Sequence, residues 1–462
     1  MLHFHSRFMK KNNYLSLVFF LFASIVGTSQ TKSWTLEECV KYAVDNNISI
    51  KNTELDLKTA DINKRGAIAS FIPSFNANAS HSWNIGLNQD ITTGLLRNQT
   101  TQFSSFGASV GVDIYKGLQN QNNLRKSNLA IVASKYQLLK MQEDIALNVA
   151  NAFLQVLFNK ENLKVQNEQL AIIEKQLLRS EELVKAGSIP RGDVLDIKAN
   201  VATNKQNVVT AENALLISKL SLAQLLQLKE FYDFDVIDNT SLKDENNILG
   251  QQVTAIYDKA KETRTELKIA KTNLEVAEKD VAIARGAYQP TLQGFYSYNS
   301  RIAYADQTFK LNDQTVTVSA PPFWDQFRDN KGQAFGLQLS VPIFNGWSVK
   351  NNVDRNKVNL EKSKIALEQQ ELDLQRNVYT AFTDAKGALK THESAIVALE
   401  SRQEAFNYAK ERYAVGMMNS FDFNQAQTLL TNAQSEVIRT KYDYIFKIKI
   451  LEFYFGIPIL KN

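Results

Sequence analysis

The sequence predicts a mainly α-helical chain with a β part: long antiparallel coiled-coil helices that carry four strands. Three observations predict it. One pattern occurs twice at constant spacing. Apolar residues recur every seven positions through stretches almost free of glycine and proline. Four short segments instead alternate, apolar with small or polar residues.

The repeat organises everything else. Residues 107–228 align without a gap with 336–457, at an offset of 229 (346 − 117 for Gly117 and Gly346). Asn148-Val149-x-x-Ala152-Phe153 recurs as Asn377-Val378-x-x-Ala381-Phe382, Gly187 as Gly416, and Asp193 as Asp422. Upstream, 43–73 align with 260–290 at an offset of 217 (290 − 73 for Pro73 and Pro290), so the second copy carries a loop 12 residues longer (229 − 217). Shared helical composition does not produce constant spacing over such a length. The expected organisation is a signal peptide at 1–29, a first helix–hairpin–helix unit at 30–228, a linker at 229–252, a second unit at 253–457 and a short tail at 458–462.

At the N-terminus, Arg7, Lys10 and Lys11 precede an apolar run from Tyr14 to Gly27. A basic start, a short apolar centre and small residues after it read as a secretory signal peptide. The run is too short and wrongly flanked for a membrane-spanning helix. No cysteine stands directly after the expected cleavage site near Ser29–Gln30, so a lipid anchor is not expected. Composition narrows the chemistry. The single cysteine, Cys39, excludes a disulfide framework and a Cys-cluster metal site. Of four histidines, only His81 and His392 lie outside the signal segment, so no metal or cofactor is expected. Three of the five net positive charges leave with that segment (5 − 3 = 2), which gives no surface for nucleic acid. No G-x-S-x-G, H-E-x-x-H or phosphate-loop arrangement occurs, and an enzyme is not expected.

The hairpins follow. Across Ser105–Tyr115, Phe106, Ala108, Val110, Val112 and Ile114 alternate with Ser105, Gly107, Ser109, Gly111 and Asp113. The second copy places Phe335, Leu337, Leu339, Val341 and Ile343 on the matching positions. Period two is the signature of a strand with two unlike faces. The partner strand puts Phe75, Ala77, Ala79, Trp83, Ile85 and Leu87 on one face and Asn76, Asn78, Ser80, Ser82 and Asn84 on the other. The fourth strand, Leu292–Tyr304, aligns Tyr296, Tyr298, Ile302 and Tyr304. Each strand is about as long as a tilted strand needs to cross a bilayer. Four strands cannot close a barrel, so the hairpins are expected to pair with other chains.

The helices are long. Leu118–Ala186 contains no glycine or proline, and Trp347–Val415 contains only Gly387. A helix of that length reaches about 100 Å. Val149, Val156, Leu163, Leu170, Leu177 and Val184 mark strict sevens, as do Val194, Val201, Val208, Leu215 and Leu222 on the return and Phe423, Leu430, Val437, Tyr444 and Leu451 on its copy. This is coiled-coil packing. His392 falls on the copy of Leu163 and reads as a seam residue. Each ascending helix meets its return at a tight turn, Ala186-Gly187-Ser188 and Val415-Gly416-Met417, where glycine suits a left-handed helix end. Asp193 and Asp422 then fall in the first turn of the return helices, where an anion is favoured.

These residues resemble the outer membrane efflux proteins, or TolC family. The resemblance lies in the tandem units, the signal peptide and the turn signature R-x-x-x-G-x-x-x-x-x-D, matched by Arg412, Gly416 and Asp422 and, less fully, by Leu183, Gly187 and Asp193. It covers essentially residues 34–457. It implies a homotrimer in which each chain donates four strands to a 12-stranded barrel in outer-membrane lipid, with the helices forming a periplasmic tunnel. It further implies a passive exit duct of a tripartite efflux or secretion system, fed by an inner-membrane transporter through a periplasmic adaptor. On that reading Phe106, Val110, Val112, Ile114 and their copies Phe335, Leu337, Leu339, Val341 and Ile343 face lipid, while Ser109, Gly111, Asp113, Asn76, Asn78 and Ser80 face water. The adaptor-contact tips are Ala186, Gly187, Ser188, Val415, Gly416 and Met417. The periplasmic entrance is lined by Asp422, with Gln425 where the family has a second aspartate and Asp193 at the copied position. The family's gate-linking arginine falls on Met418, and Arg191 is not at a matching position. A short tail leaves any equatorial collar to come mainly from 229–252. The competing expectation is a non-conducting coiled-coil protein anchored in the outer membrane.

Overall fold

The structure, a computed structural model, describes residues 33–89, 96–229, 234–238, 247–304, 306–311 and 314–457; the expected signal peptide and tail lie outside the described residues. In order, the first unit holds β1 (Ser33–Trp34), α1 (Leu36–Asn46), α2 (Ile48–Ala69), β2 (Ser74–Gln89), β3 (Leu96–Lys116), α3 (Gln119–Lys185) and α4 (Arg191–Leu226). After β4 (Asp235–Val236) and a short turn at Ile248–Gly250, the second unit holds α5 (Val253–Thr263), α6 (Thr265–Gly286) and β5 (Thr291–Ala303). It continues through β6 (Gln307–Leu311), β7 (Gln314–Val318), α7 (Phe323–Asp329), β8 (Gly332–Ser340), α8 (Ser348–Ala414) and α9 (Ser420–Phe455).

The helices of the two units match in length. α1 and α5 are both 11 residues long, and α2 and α6 are both 22. α3 and α8 are both 67 residues, α4 and α9 both 36. Local chemistry sets the starts. Thr35 and Glu38 exchange bonds as a capping box at α1, with Glu38 Oε2 accepting from Thr35 N at 2.9 Å. Asn47 caps α2 by accepting from Ser49 N at 2.9 Å.

The hairpins join edge to edge into one antiparallel sheet, ordered β2-β3-β5-β8. Pairing runs from Ser74↔Gly111 to Gln89↔Leu96, then from Phe103↔Ala303 to Lys116↔Thr291 with a bulge at Asp113/Tyr115, then from Thr291↔Ser340 to Asn299↔Gly332. The last strand of the sheet, β8, corrects one expectation. Alternation suggested strand through Ile343, but pairing stops at Ser340, because Pro342 has no N–H to continue a ladder. Val341 and Ile343 lie past the strand end and remain exposed. The helices sit below in the same order: α2 packs on α3, α3 on α6, and α6 on α8. Sheet and helices thus share one order.

The core is concentrated at mid-length of the long helices. Cys39, Val40, Val149, Phe153, Leu222 and Val236 pack together where β1 pairs parallel to β4. Burial first, and Glu38 beside it, push the Cys39 thiol up to about 12, so it behaves as a small apolar side chain. Ile248, Ile256, Leu267, Val378 and Leu451 form the matching cluster of the second unit. The core at mid-length therefore draws on β1, α1 and α5 besides the described part of 229–252. Toward the tips, seams carry the packing: Ile173, Ile197 and Val201 in the first unit, Phe406, Phe423 and Leu430 in the second. His392 is buried in the seam, its Nδ1 3.1 Å from Thr440 Oγ1. Among the described residues, no helix is long and apolar enough to cross a membrane.

Candidate functional site

The chemistry of this chain lies at its two ends. At the sheet end, register decides the faces. Val110 sits opposite Phe75 and Tyr296, and Tyr296 opposite Phe335. Gly294 lies between Val112 and Leu337. One face is therefore continuous across four strands and carries Phe75, Ile114, Phe335, Leu337 and Leu339 in exposed positions. Phe106 belongs to this face but is half-buried, because the rings of Phe323 and Phe327 from α7 meet it edge-on at 5.8 and 5.4 Å. Sequence reasoning missed α7, since seven residues are too few to show a helical period.

The opposite face is mostly polar and bonded to itself, with Phe103 and Phe295 as its aromatic members. Ser80 Oγ and Ser105 Oγ are 2.7 Å apart, Gln293 Nε2 donates to Asp113 at 2.7 Å, and Lys116 donates to Asp113 at 2.9 Å. Asn78 lies over Gly107 so closely that a Cβ there would stand 2.6 Å from its Oδ1. The expected division of Ser109, Gly111, Asp113, Asn76, Asn78 and Ser80 from the apolar set follows from this register.

At the other end the two hairpin tips are near copies. Ser188 N donates to Leu183 O at 2.9 Å and Gly187 N to Val184 O at 3.0 Å, with Gly187 at φ +73°. Met417 N donates to Arg412 O at 2.8 Å and Gly416 N to Tyr413 O at 3.2 Å, with Gly416 at φ +75°. Both are Schellman ends, which need a residue in the left-handed region. They leave Ala186, Gly187, Ser188, Val415, Gly416 and Met417 exposed, and Val415 and Met417 are each 70% exposed. Met418 does not join them; it packs against Phe406 and Phe423.

The return helices differ at their caps. Pro190 precedes α4 without a side-chain bond, and Asp193 N reaches its carbonyl at 3.2 Å. Asn419 caps α9: its Oδ1 accepts from Asp422 N at 2.8 Å, and its Nδ2 donates to Asp422 Oδ2 at 3.0 Å. Asp422 thus holds the helix end with one oxygen while the side chain stays exposed, as does Gln425 one turn on. Within one chain the three are split between the return helices, Asp193 at the start of α4 and Asp422 and Gln425 one turn apart on α9.

A sheet with one apolar and one polar face, continuous with a wall of very long paired helices, defines a channel protein that joins a membrane to an aqueous tunnel. A family model described as outer membrane efflux protein matches residues 40–227 and 256–449, and the chain belongs to that family. It is an outer-membrane channel that reaches into the periplasm. It is similar to outer membrane protein TolC of Escherichia coli (strain K12), 23% identical over 365 residues, which span 78% of this chain and 72% of the relative. It is also similar to cation efflux system protein CusC of Escherichia coli O157:H7, 21% identical over 416 residues, 87% of this chain and 82% of the relative. The solved Campylobacter jejuni CmeC outer membrane channel has the same fold, with a TM-score of 0.76 at 18% identity over 91% of this chain and 85% of that one.

Proposed function

We propose that three copies of this chain close into one exit duct, which passively carries substrates delivered by an inner-membrane pump through a periplasmic adaptor docked at the helix tips. The observation that carries this reading is a contact made once inside the chain and left unmade at its flanks. Within the chain, α3 meets α6: Glu143 accepts from Thr265 Oγ1 at 2.9 Å, Tyr115 bonds Gln289, and Gly117 lies against Gly286. Carried through the repeat (adding 229 to the first residue, subtracting 217 from the second), these become Leu372 with Ile48, Phe344 with Ile72 and Gly346 with Ala69. Those residues cannot meet inside one chain, because α2 and α8 are the two ends of the row. Ile48, Leu55, Ile62 and Ile72 on one flank, and Phe344, Val358, Ile365 and Leu372 on the other, are instead exposed.

The same shift carries the β3–β5 ladder to β8 against β2 of a neighbour, setting Leu339 opposite Ala79 and Phe335 opposite Trp83. Each chain supplies four of twelve strands, and closure removes both open edges. In that ring Val110, Val112, Ile114, Leu337 and Leu339 face lipid, and Asp422 recurs three times at the periplasmic mouth, where an acidic ring favours cations. The Ala186–Ser188 and Val415–Met417 turns give an adaptor a compact, partly apolar step. The test is a cysteine pair, Leu372→Cys with Ile48→Cys, in a Cys39→Ala background. Oxidation is expected to give covalent dimers and trimers from assembled channel. Assembled channel without such a ladder would refute this register.

A further inference from the structure

We propose that α7 is an in-plane anchor seated at the outer-leaflet surface of the membrane, with Trp324 as its lipid-contacting residue. This rests on the reading that the apolar sheet face meets lipid, and it adds a lipid-interface element that strand alternation does not reveal.

The placement of α7 is fixed by bonds to strand backbone. Gln326 Nε2 donates to Ala303 O and Ala303 N donates to Gln326 Oε1, both at 3.0 Å. Ser300 Oγ donates to Phe327 O at 2.8 Å. Beneath the helix Ile302 and Ser300 are buried, on the same face as Tyr296 and Phe335. The helix therefore lies flat on the apolar side of β5, not over the polar side.

Its height follows from the strand. Leu292 to Ile302 is ten steps (302 − 292). At ~3.3 Å per residue and a tilt near 40° this rises about 25 Å, the height of the apolar band of an outer-membrane barrel. The band ends at the same level on the neighbouring strands. Ser104, paired with Ile302 and His81, bonds His81 Nδ1 at 2.8 Å and Tyr304 Oη at 3.0 Å, and Trp83 packs edge-on against His81 at 4.2 Å. A polar knot ringed by aromatic side chains marks a lipid–water boundary.

α7 matches that boundary in composition. Phe323 and Phe327 face the sheet, while Trp324 is 74% exposed although it carries the largest ring of the segment. Its one cation pairs with both of its acids, Arg328 with Asp325 at 3.0 Å and with Asp329 at 3.2 Å, which leaves a single net negative charge. An amphipathic aromatic helix with a paired charged side suits the interface plane better than an anionic partner. Adjacent chains join at β2 and β8, so the ground in front of β3 and β5 stays open to lipid. Among the described residues the first unit has no counterpart, and α7 lies in the loop by which the second unit is longer.

The test uses the assembled full-length protein in phosphatidylcholine vesicles, with Trp34→Phe, Trp83→Phe and Trp347→Phe leaving Trp324 as the sole tryptophan. Lipid brominated near the carbonyl end of its chains is expected to remove most Trp324 emission, with lipid brominated near the methyl end and aqueous acrylamide doing much less. A second protein carrying Phe335→Trp in the tryptophan-free background reports the sheet face and is expected to respond most to lipid brominated near the methyl end. If Phe335→Trp responds so but Trp324 is reached only by acrylamide, α7 lies in water and the inference fails. If Trp324 is shielded from acrylamide and from both lipids, a protein covers it and the inference fails. If Phe335→Trp is itself untouched by lipid, the underlying reading fails, and the inference with it.

Discussion

At the residue scale, two glycines and one aspartate carry the claims. Gly187 and Gly416 hold positive φ, and nothing lies within 4 Å of where a Cβ would stand. A substitution there costs about 1 kcal/mol in backbone strain whatever its charge. Gly187→Glu and Gly416→Glu are expected to abolish export while the trimer persists, and the alanine variants, equally strained but neutral, to retain most export. Export assays beside native gels check this, and full export by both glutamate variants would remove the tips from the adaptor contact. Asp422 combines two roles that separate cleanly. Asp422→Asn keeps an oxygen for Asn419 and drops the charge, so cation preference is expected to fall with little loss of stability. Asn419→Ala removes the cap, costing about 1 kcal/mol, with ion preference kept. Ion selectivity and thermal melts measured on both variants distinguish charge from cap.

At the element scale, the seam between α8 and α9 holds a titratable group. Burial, and then the nearby Lys441, hold the His392 imidazole below its usual value despite Glu393. A histidine whose folded value is depressed stabilises the fold fully above the unfolded value of about 6.5, and that contribution is lost as pH falls through the interval below it. The melting temperature of the helical part is therefore expected to drop between pH 7 and pH 5, and His392→Gln to flatten that slope. An unchanged slope would place the acid sensitivity elsewhere.

What was legible at this scale divides by length. The long helices were readable because sevens run from Val149 to Val184 in a stretch free of glycine and proline, and both copies stop at the same glycine. The tips were readable because a glycine in a helix end has one common use. Hidden elements are those too short for a period. β1 and β4 are two residues each, and α7 is seven. The strand end at Ser340 was misread because Val341 and Ile343 keep the alternation that Pro342 forbids the backbone to use. The proposed entrance rests on resemblance alone, since within one chain Asp193 and Asp422 lie on different return helices.

At the scale of the whole molecule, one feature explains shape and assembly together. Strands and helices run in the same order, β2-β3-β5-β8 above α2-α3-α6-α8, so each unit contributes one slice of a wall. The internal α3–α6 seam is polar, with Arg264 buried between Glu143 at 2.9 Å and Glu266 at 3.2 Å. The matching outer flanks are apolar, with Leu372 and Ile48 in place of Glu143 and Thr265. The proposed interface between chains thereby differs in chemistry from the interface within a chain, which tells a neighbour's flank from the chain's own seam.

Conduction is the central claim, and single-channel recording of the detergent-extracted, full-length protein in a planar bilayer tests it most directly. Small, cation-preferring currents are expected from the inserted trimer, rising when Asp422→Ala removes the acidic ring at the mouth. A folded, inserted trimer that passes no current, with or without that substitution, would contradict the duct and leave a membrane-anchored scaffold.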